Sequence, residues 1–333
     1  MRPRNTRNAN VCFLFVCFVY FVFGPLYTAP AAEAVRAMQF QAQTPAEAHA
    51  WQAAARAKLF ALIMGGGQPE RVPLDVKVLR TIAVPTYHCV LEELTLQALP
   101  DRRAHAWLAR PTQPKRKVGA VLALHGHGGT GEQVVNGTGL YWYGRAMIGR
   151  GYVVIAPEIG QHELQHTNWT LMGERIWDAL RCLDCVAALP EVDSSRLAVA
   201  GLSLGGETTK YVATMDERLK AACSSGWLTT VANMKNGHCV CYNFPGLEEN
   251  FEFSDIFSCV APRLLVCELG EKERAPGGFP VPIGRKTFEQ LSAAYRVFNA
   301  ETNLTLTIHA GPHVFNGQDF WPKLCTALGS PGQ

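Results

Sequence analysis

The stretch RLAVAGLSLGG, Arg196 to Gly206, decides the fold. It opens as an apolar strand, RLAVAG (196–201), and runs into Gly201-Leu202-Ser203-Leu204-Gly205-Gly206, after which a helix is predicted. A G-x-S-x-G turn between strand and helix is so tight that the serine's neighbours must be glycine. The serine hydroxyl is then held exposed above a sheet, and the helix N-terminus below it favours developing negative charge. Ser203 is therefore the candidate nucleophile. A glycine-rich structural turn is the bland alternative.

Working outward, strand, loop and helix repeat. VGAVLALHG (118–126), GYVVIAPE (151–158), RLAVAG, KAACSS (220–225), RLLVCELG (263–270) and LTLTIHAG (304–311) read as buried strands. Helices are predicted over Tyr141 to Arg150, Met172 to Leu189, Gly284 to Phe298 and Asp319 to Leu328. Continuous apolar strands alternating with amphipathic helices imply a mostly parallel central sheet covered on both faces. Upstream, Thr44-Pro45-Ala46-Glu47 reads as a capping box and starts a lead-in helix over about 44–64. Strand-like stretches follow at His88 to Leu99 and Ala104 to Ala109.

In such a sheet the chemistry lies at the carboxyl ends of the strands. His125-Gly126-His127-Gly128-Gly129 ends one strand, and the backbone N–H groups of His127 and Leu204 are the candidate oxyanion donors. His125 reads as a packed loop residue. The base should follow the last strand. His313, in the loop Gly311-Pro312-His313, can swing toward Ser203, whereas His309 lies within the strand pattern. The acid should follow RLLVCELG, where Glu273 is favoured and Glu271 competes. The order Ser203, Glu273, His313 is that of α/β-hydrolases. The excursion 227–258 carries Trp227, Tyr242, Phe244, Phe251, Phe253 and Phe257 and reads as a lid or substrate wall. Trp227, directly after a strand end, is the candidate substrate contact.

Three other patterns carry metal or redox residue types. His162-Glu163-Leu164-Gln165-His166 is a literal H-E-x-x-H, which in zinc peptidases puts two imidazoles on one helix face. Here Pro157 and Gly160 precede it and no G-x-x-H continuation follows, so a polar rim loop is the preferred reading. Cys182-Leu183-Asp184-Cys185 falls on a predicted helix, away from its apolar face. His238-Cys239-Val240-Cys241 has metal-like residues but no second ligand pair at zinc-finger spacing. Both cysteine clusters are expected to be disulfide-bonded or simply packed, and no metal is expected.

Together HGHGG, GLSLGG, SGWL, HCVCYNFPGL, LLVCELGEKE and GPHVFNG make the chain resemble the dienelactone-hydrolase-like, acetyl-xylan-esterase branch of the α/β-hydrolases, from about residue 45 onward. That branch usually has a G-x-x-D acid where this chain has Gly270-Glu271-Lys272-Glu273, so the match lands on Glu273 with a carboxylate one methylene longer. Its usual Pro-x-Phe-Pro is altered to Arg274-Ala275-Pro276-Gly277-Gly278-Phe279-Pro280. The resemblance implies a cofactor-free serine esterase acting on carbohydrate or small-molecule esters. A zinc-dependent peptidase using HELQH and a non-catalytic hydrolase-fold binding module are the alternatives.

Composition sets the remaining bounds. With 333 residues, 48% hydrophobic and 18% charged, the chain is neither disordered nor fibrous. Arg2, Arg4 and Arg7 precede an apolar run, Val11 to Phe23, of signal-peptide length, with small-x-small cleavage positions after Ala31 and Ala34. The expectation is a signal peptide over 1–31, a single catalytic domain over 32–333, and a secreted or periplasmic enzyme with no membrane span once the signal is cleaved. Removing those three arginines from the 31 basic residues leaves 28 against 28 acidic. A neutral mature chain gives no support to a nucleic-acid partner. It leaves open the oligomeric state and which of nine remaining cysteines pair.

Overall fold

The structure, a computed structural model, describes residues 35–166 and 168–329. The basic N-terminus, the apolar run Val11 to Phe23 and the cleavage position after Ala31 lie outside the described residues. The chain divides into two units, Met1–Val35 and Arg36–Gln333, and every element below belongs to the second.

In chain order the elements are α1 (Pro45–Ile63), β1 (Lys77–Val84), β2 (Cys89–Leu99), β3 (Arg102–Pro111), β4 (Val118–Leu124), α2 (Gly131–Asn136), α3 (Trp142–Gly149), β5 (Val153–Pro157), α4 (Leu171–Ala187), β6 (Val192–Leu202), α5 (Leu204–Met215), β7 (Leu219–Ser225), α6 (Val231–Met234), α7 (Leu247–Asn250), α8 (Phe253–Ser258), β8 (Leu264–Gly270), α9 (Val281–Val297), β9 (Leu304–His309) and α10 (Phe320–Leu328). The nine strands form one sheet in the order β1-β2-β3-β5-β4-β6-β7-β8-β9. From β5 through β9 all neighbours are parallel, while β1, β2, β3 and β5 pair antiparallel. This is the mostly parallel sheet that the apolar strands implied.

Alternation along β6 shows why both faces are covered. Leu197 and Val199 point into a core shared with α1, α4, α5, α8 and α9, while Ala198 and Ala200 point into a second core with α2, α3 and α10. Successive side chains of a strand leave opposite faces, so a strand apolar at every position needs helices on both. The capping box at Thr44 and Glu47 forms as expected and starts α1.

Five elements were not anticipated: β1, α2 and the short helices α6, α7 and α8 within 227–258. The strand β1 is exposed along most of its length and pairs with β2 alone, so an edge position leaves it without an apolar face to read. The helix α2 is only six residues long, too short for a periodic pattern, and a second capping box, Thr130 with Gln133, starts it. One reading is corrected. Cys182 and Cys185 were placed away from the apolar face of their helix, yet both are buried in the core. The helix α4 is covered on nearly every side, and at Gly173 it approaches α1 so closely that a Cβ would collide with the Ile63 carbonyl. The nine cysteines among the described residues are all free thiols, and of the two outcomes expected for Cys182 and Cys185 it is simple packing that is found.

Candidate active site

The turn at Ser203 is built by close backbone approaches. A Cβ on Gly201 would collide with the backbone of Gly205, and one on Gly205 with the Leu124 carbonyl. At Gly206 it would come within 2.6 Å of the Ser225 oxygen. Ser203 itself sits at φ 61°, ψ −120°, immediately before α5. Left-handed φ at a non-glycine residue costs on the order of 1–3 kcal/mol, and such strain persists only where the surroundings enforce it. Here the Ser203 N–H donates to the Ser225 carbonyl at 3.0 Å, which ties the turn to the end of β7.

The loops after β8 and β9 bring an imidazole and a carboxylate together. His313 Nδ1 lies 3.0 Å from Glu273 Oε2. The carboxylate is buried and also accepts the N–H groups of Gly270 at 3.3 Å and Phe279 at 3.2 Å. An oxygen already accepting backbone N–H groups leaves His313 Nδ1 as the donor, so Nε2 faces away from Glu273. Phe279 stacks on the imidazole, with ring centroids 5.5 Å apart and planes 16° from parallel. Glu271, the competing acid, is exposed. His309 is buried in β9, where its Nδ1 accepts the Gly311 N–H at 3.2 Å.

Ser203, Leu204, His127, Glu273 and His313 line one cavity of ≈ 540 Å³. Trp227 reaches its wall but is almost wholly buried, with its ring 4.6 Å from that of Phe253 and Lys210 Nζ 3.8 Å from its centroid. The excursion's other aromatic side chains are buried as well, so 227–258 is a packed wall. Leu204 is the first residue of α5, and the leading N–H groups of a helix have no carbonyl one turn behind them. The His127 side chain is neutral, because burial lowers its pKa to about 4, reinforced by the Arg175 charge.

The acetyl xylan esterase (AXE1) family model matches residues 71–231, the stretch that carries His127 and Ser203. The chain has the α/β-hydrolase fold and is similar to the acetyl xylan esterases. YtaP of Bacillus subtilis, a candidate hydrolase, is 26% identical over 265 residues, 72% of this chain and 86% of its own length. A candidate acetyl xylan esterase of Bacteroides fragilis has the same fold, with a TM-score of 0.67 and 17% identity over 83% of this chain and 78% of that one. A glucuronoyl esterase of Solibacter usitatus superposes with a TM-score of 0.64 and 16% identity over 82% of this chain and 91% of its own. This chain is thus a hydrolytic enzyme of the esterase type.

The parts played by four residues around the cavity were not legible beforehand. Glu268 is buried inside β8 and accepts the N–H groups of Asn316 at 3.0 Å and Gly317 at 2.7 Å, which anchors the loop beyond His313. Phe279 covers the imidazole. Glu207, one turn into α5, lines the cavity with Oε1 unpartnered, and burial pushes its carboxyl up to about 7. Gly226, at φ +59°, leaves room for the histidine: a Cβ there would lie 2.6 Å from His313 Cε1. Gly226→Ala is therefore expected to displace the imidazole and lower kcat by about 10²-fold. It should also lower stability by about 1 kcal/mol or more, because alanine is strained at that φ. Steady-state kinetics and thermal unfolding of this variant check both. Unchanged kcat would show that the imidazole position is not critical.

The HELQH segment is a loop, and its two histidines diverge. His166 faces Asp101 at 3.6 Å, and its N–H, like that of Gln165, donates to Glu174 at 2.7 Å. His162 instead turns toward Cys239, with Nε2 3.7 Å from Sγ. No helix face presents both imidazoles, so the peptidase-type pair does not form. His125 is buried between the Gly126 carbonyl, 2.8 Å from Nδ1, and the Ile159 N–H, 3.0 Å from Nε2. Burial lowers its pKa to about 4, and both ring nitrogens are occupied, as befits a packed residue.

Proposed function

We propose that this hydrolase cleaves carboxylic esters, acetyl esters of carbohydrates foremost, through Ser203, His313 and Glu273. The observation that carries the reading is the His313–Glu273 pair sharing one cavity with a strained, elbow-borne serine. Glu273 fixes the tautomer, so His313 Nε2 is the nitrogen free to take the Ser203 proton as the hydroxyl attacks the acyl carbon. The carbonyl oxygen becomes an oxyanion held by the N–H groups of Leu204 and His127, each donor lowering the barrier by about 3 kcal/mol. His313 returns the proton to the leaving alcohol. Water then attacks the acyl-serine by the reverse relay. Trp227 and Glu207 would form the wall against which the alcohol portion rests.

A panel of p-nitrophenyl esters from acetyl to long acyl chains, with acetylated xylan beside it, tests this reading. Turnover should be greatest for acetyl esters. Absence of turnover on every ester would contradict it.

The same reading places the enzyme outside the cytoplasm, with residues 1–31 serving as a cleaved signal. No helix among the described residues is long and apolar enough to cross a membrane. Protein recovered from the native host's exported fraction should begin at Ala32 or Val35 by mass spectrometry. Recovery solely in the cytoplasm with the N-terminal segment intact would refute export.

A further inference from the structure

His162 and the Cys239–Cys241 pair are not used by the proposed reaction, yet they meet the ring of His127 at the cavity rim. His127 Nε2 lies 3.1 Å from Cys241 Sγ, His162 Nε2 lies 3.7 Å from Cys239 Sγ, and the four side chains' ligand atoms all fall within 4.8 Å of one another. They come from three separate loops: His127 follows β4, His162 lies between β5 and α4, and both cysteines belong to the excursion after β7. Three loops thus bring two thiols and two imidazoles to one point, with the Arg175 guanidinium beside Cys241.

We propose that these four side chains bind one zinc ion in a closed, tetrahedral Cys2His2 site. Two sulfurs and two imidazole nitrogens are the ligand set of structural zinc, with Zn–S near 2.3 Å and Zn–N near 2.0–2.1 Å. Those bond lengths put tetrahedral ligand atoms about 3.4–3.8 Å apart. The closest contacts already approach that spacing, and the widest pair must close by about 1 Å. One histidine is already oriented for ligation. His162 Nδ1 lies 2.9 Å from the Gly160 carbonyl, which fixes the proton there and leaves the Nε2 lone pair facing Cys239. Two thiolates cancel the charge of a divalent cation, so the site adds no net charge near buried Arg175. Four protein ligands leave no open position for water, and such a site is structural.

Its consequence for the reaction rests on the proposed hydrolytic mechanism. The ion would staple the loop bearing the His127 N–H to the excursion that walls the cavity, so the metal makes His127 a positioning point as well as a donor. The residue types in HELQH and HCVC were visible separately. Neither has a second ligand pair at zinc-finger spacing, and only the fold joins them.

The test uses the full-chain protein purified under reductant without chelator, measured by elemental analysis and zinc-edge X-ray absorption. About one zinc per chain, with two sulfur and two nitrogen neighbours, is the expected result. Cobalt exchanged into the site should give intense visible bands of a tetrahedral thiolate complex. Cys239→Ser/Cys241→Ser should lose the metal at least tenfold. His162→Ala, a change on an exposed loop, should weaken retention against a competing chelator without unfolding the chain, as judged by circular dichroism. Ser203→Ala should keep the full zinc content, which separates this site from the hydrolytic reading. Zinc below a tenth per chain after supplying the ion, equal content in the His162 and cysteine variants, or a Cys239–Cys241 disulfide persisting under reductant would each overturn the proposal.

Discussion

Ser203→Ala is expected to reduce kcat on a p-nitrophenyl acyl ester by about 10⁵–10⁶-fold, with KM little changed. In the proposed mechanism the hydroxyl oxygen bonds to the acyl carbon, and neither cavity shape nor oxyanion donors can replace it. The same position carries backbone strain, at φ 61°. Ser203→Gly should therefore lose activity equally while gaining on the order of 1 kcal/mol or more in stability, because glycine adopts that φ freely. Steady-state kinetics and thermal unfolding of both variants check this. Retained turnover in Ser203→Ala would remove the serine from the chemistry. A Ser203→Gly variant no more stable than Ser203→Ala would show that the turn is not strained.

Glu273→Gln is expected to lower kcat by about 10⁴-fold with the chain folded. Its carboxylate accepts three donors, and His313 Nδ1 is one of them. An amide in that place can present its NH₂ to Nδ1, which favours the wrong imidazole tautomer and leaves Nε2 protonated toward Ser203. Glu273→Asp should recover part of the rate if the loop closes the missing methylene. Glu271→Gln should stay within a few-fold of the parent, since its side chain is exposed and outside the cavity lining. Full activity in Glu273→Gln, or a large loss in Glu271→Gln, would reverse the assignment of the acid. Kinetics of the three variants side by side decide it.

The parallel half of the sheet could be read because burial on both faces makes each strand apolar at every position. The edge strand Lys77–Val84 could not, since most of its side chains meet solvent and no period marks a face. The elbow at Ser203 was legible because steric demand for glycine leaves a local trace. The proposed acid and base were narrowed to two candidates each by their order along the chain, and the loop after β8 brings Glu273, already favoured by the G-x-x-D match, to His313 while Glu271 stays exposed. Gly270 governs that turn: a Cβ there would collide with the Pro312 carbonyl, so the acid and histidine loops can pack closely. Glu268 was read as lying inside its strand, but its anchoring role, like the covering role of Phe279, was missed because both depend on the loop that carries His313, far along the chain. The pairing of His162 with Cys239 spans 77 residues and was hidden for the same reason.

The central claim is that Ser203 is the nucleophile of this hydrolase. Intact mass and peptide mapping after treatment with a p-nitrophenyl phosphonate test it most directly. One phosphonyl adduct per chain, on the peptide containing Ser203 and absent from Ser203→Ala, is the predicted result. No adduct on an ester-hydrolysing preparation, or an equal adduct in Ser203→Ala, would contradict it.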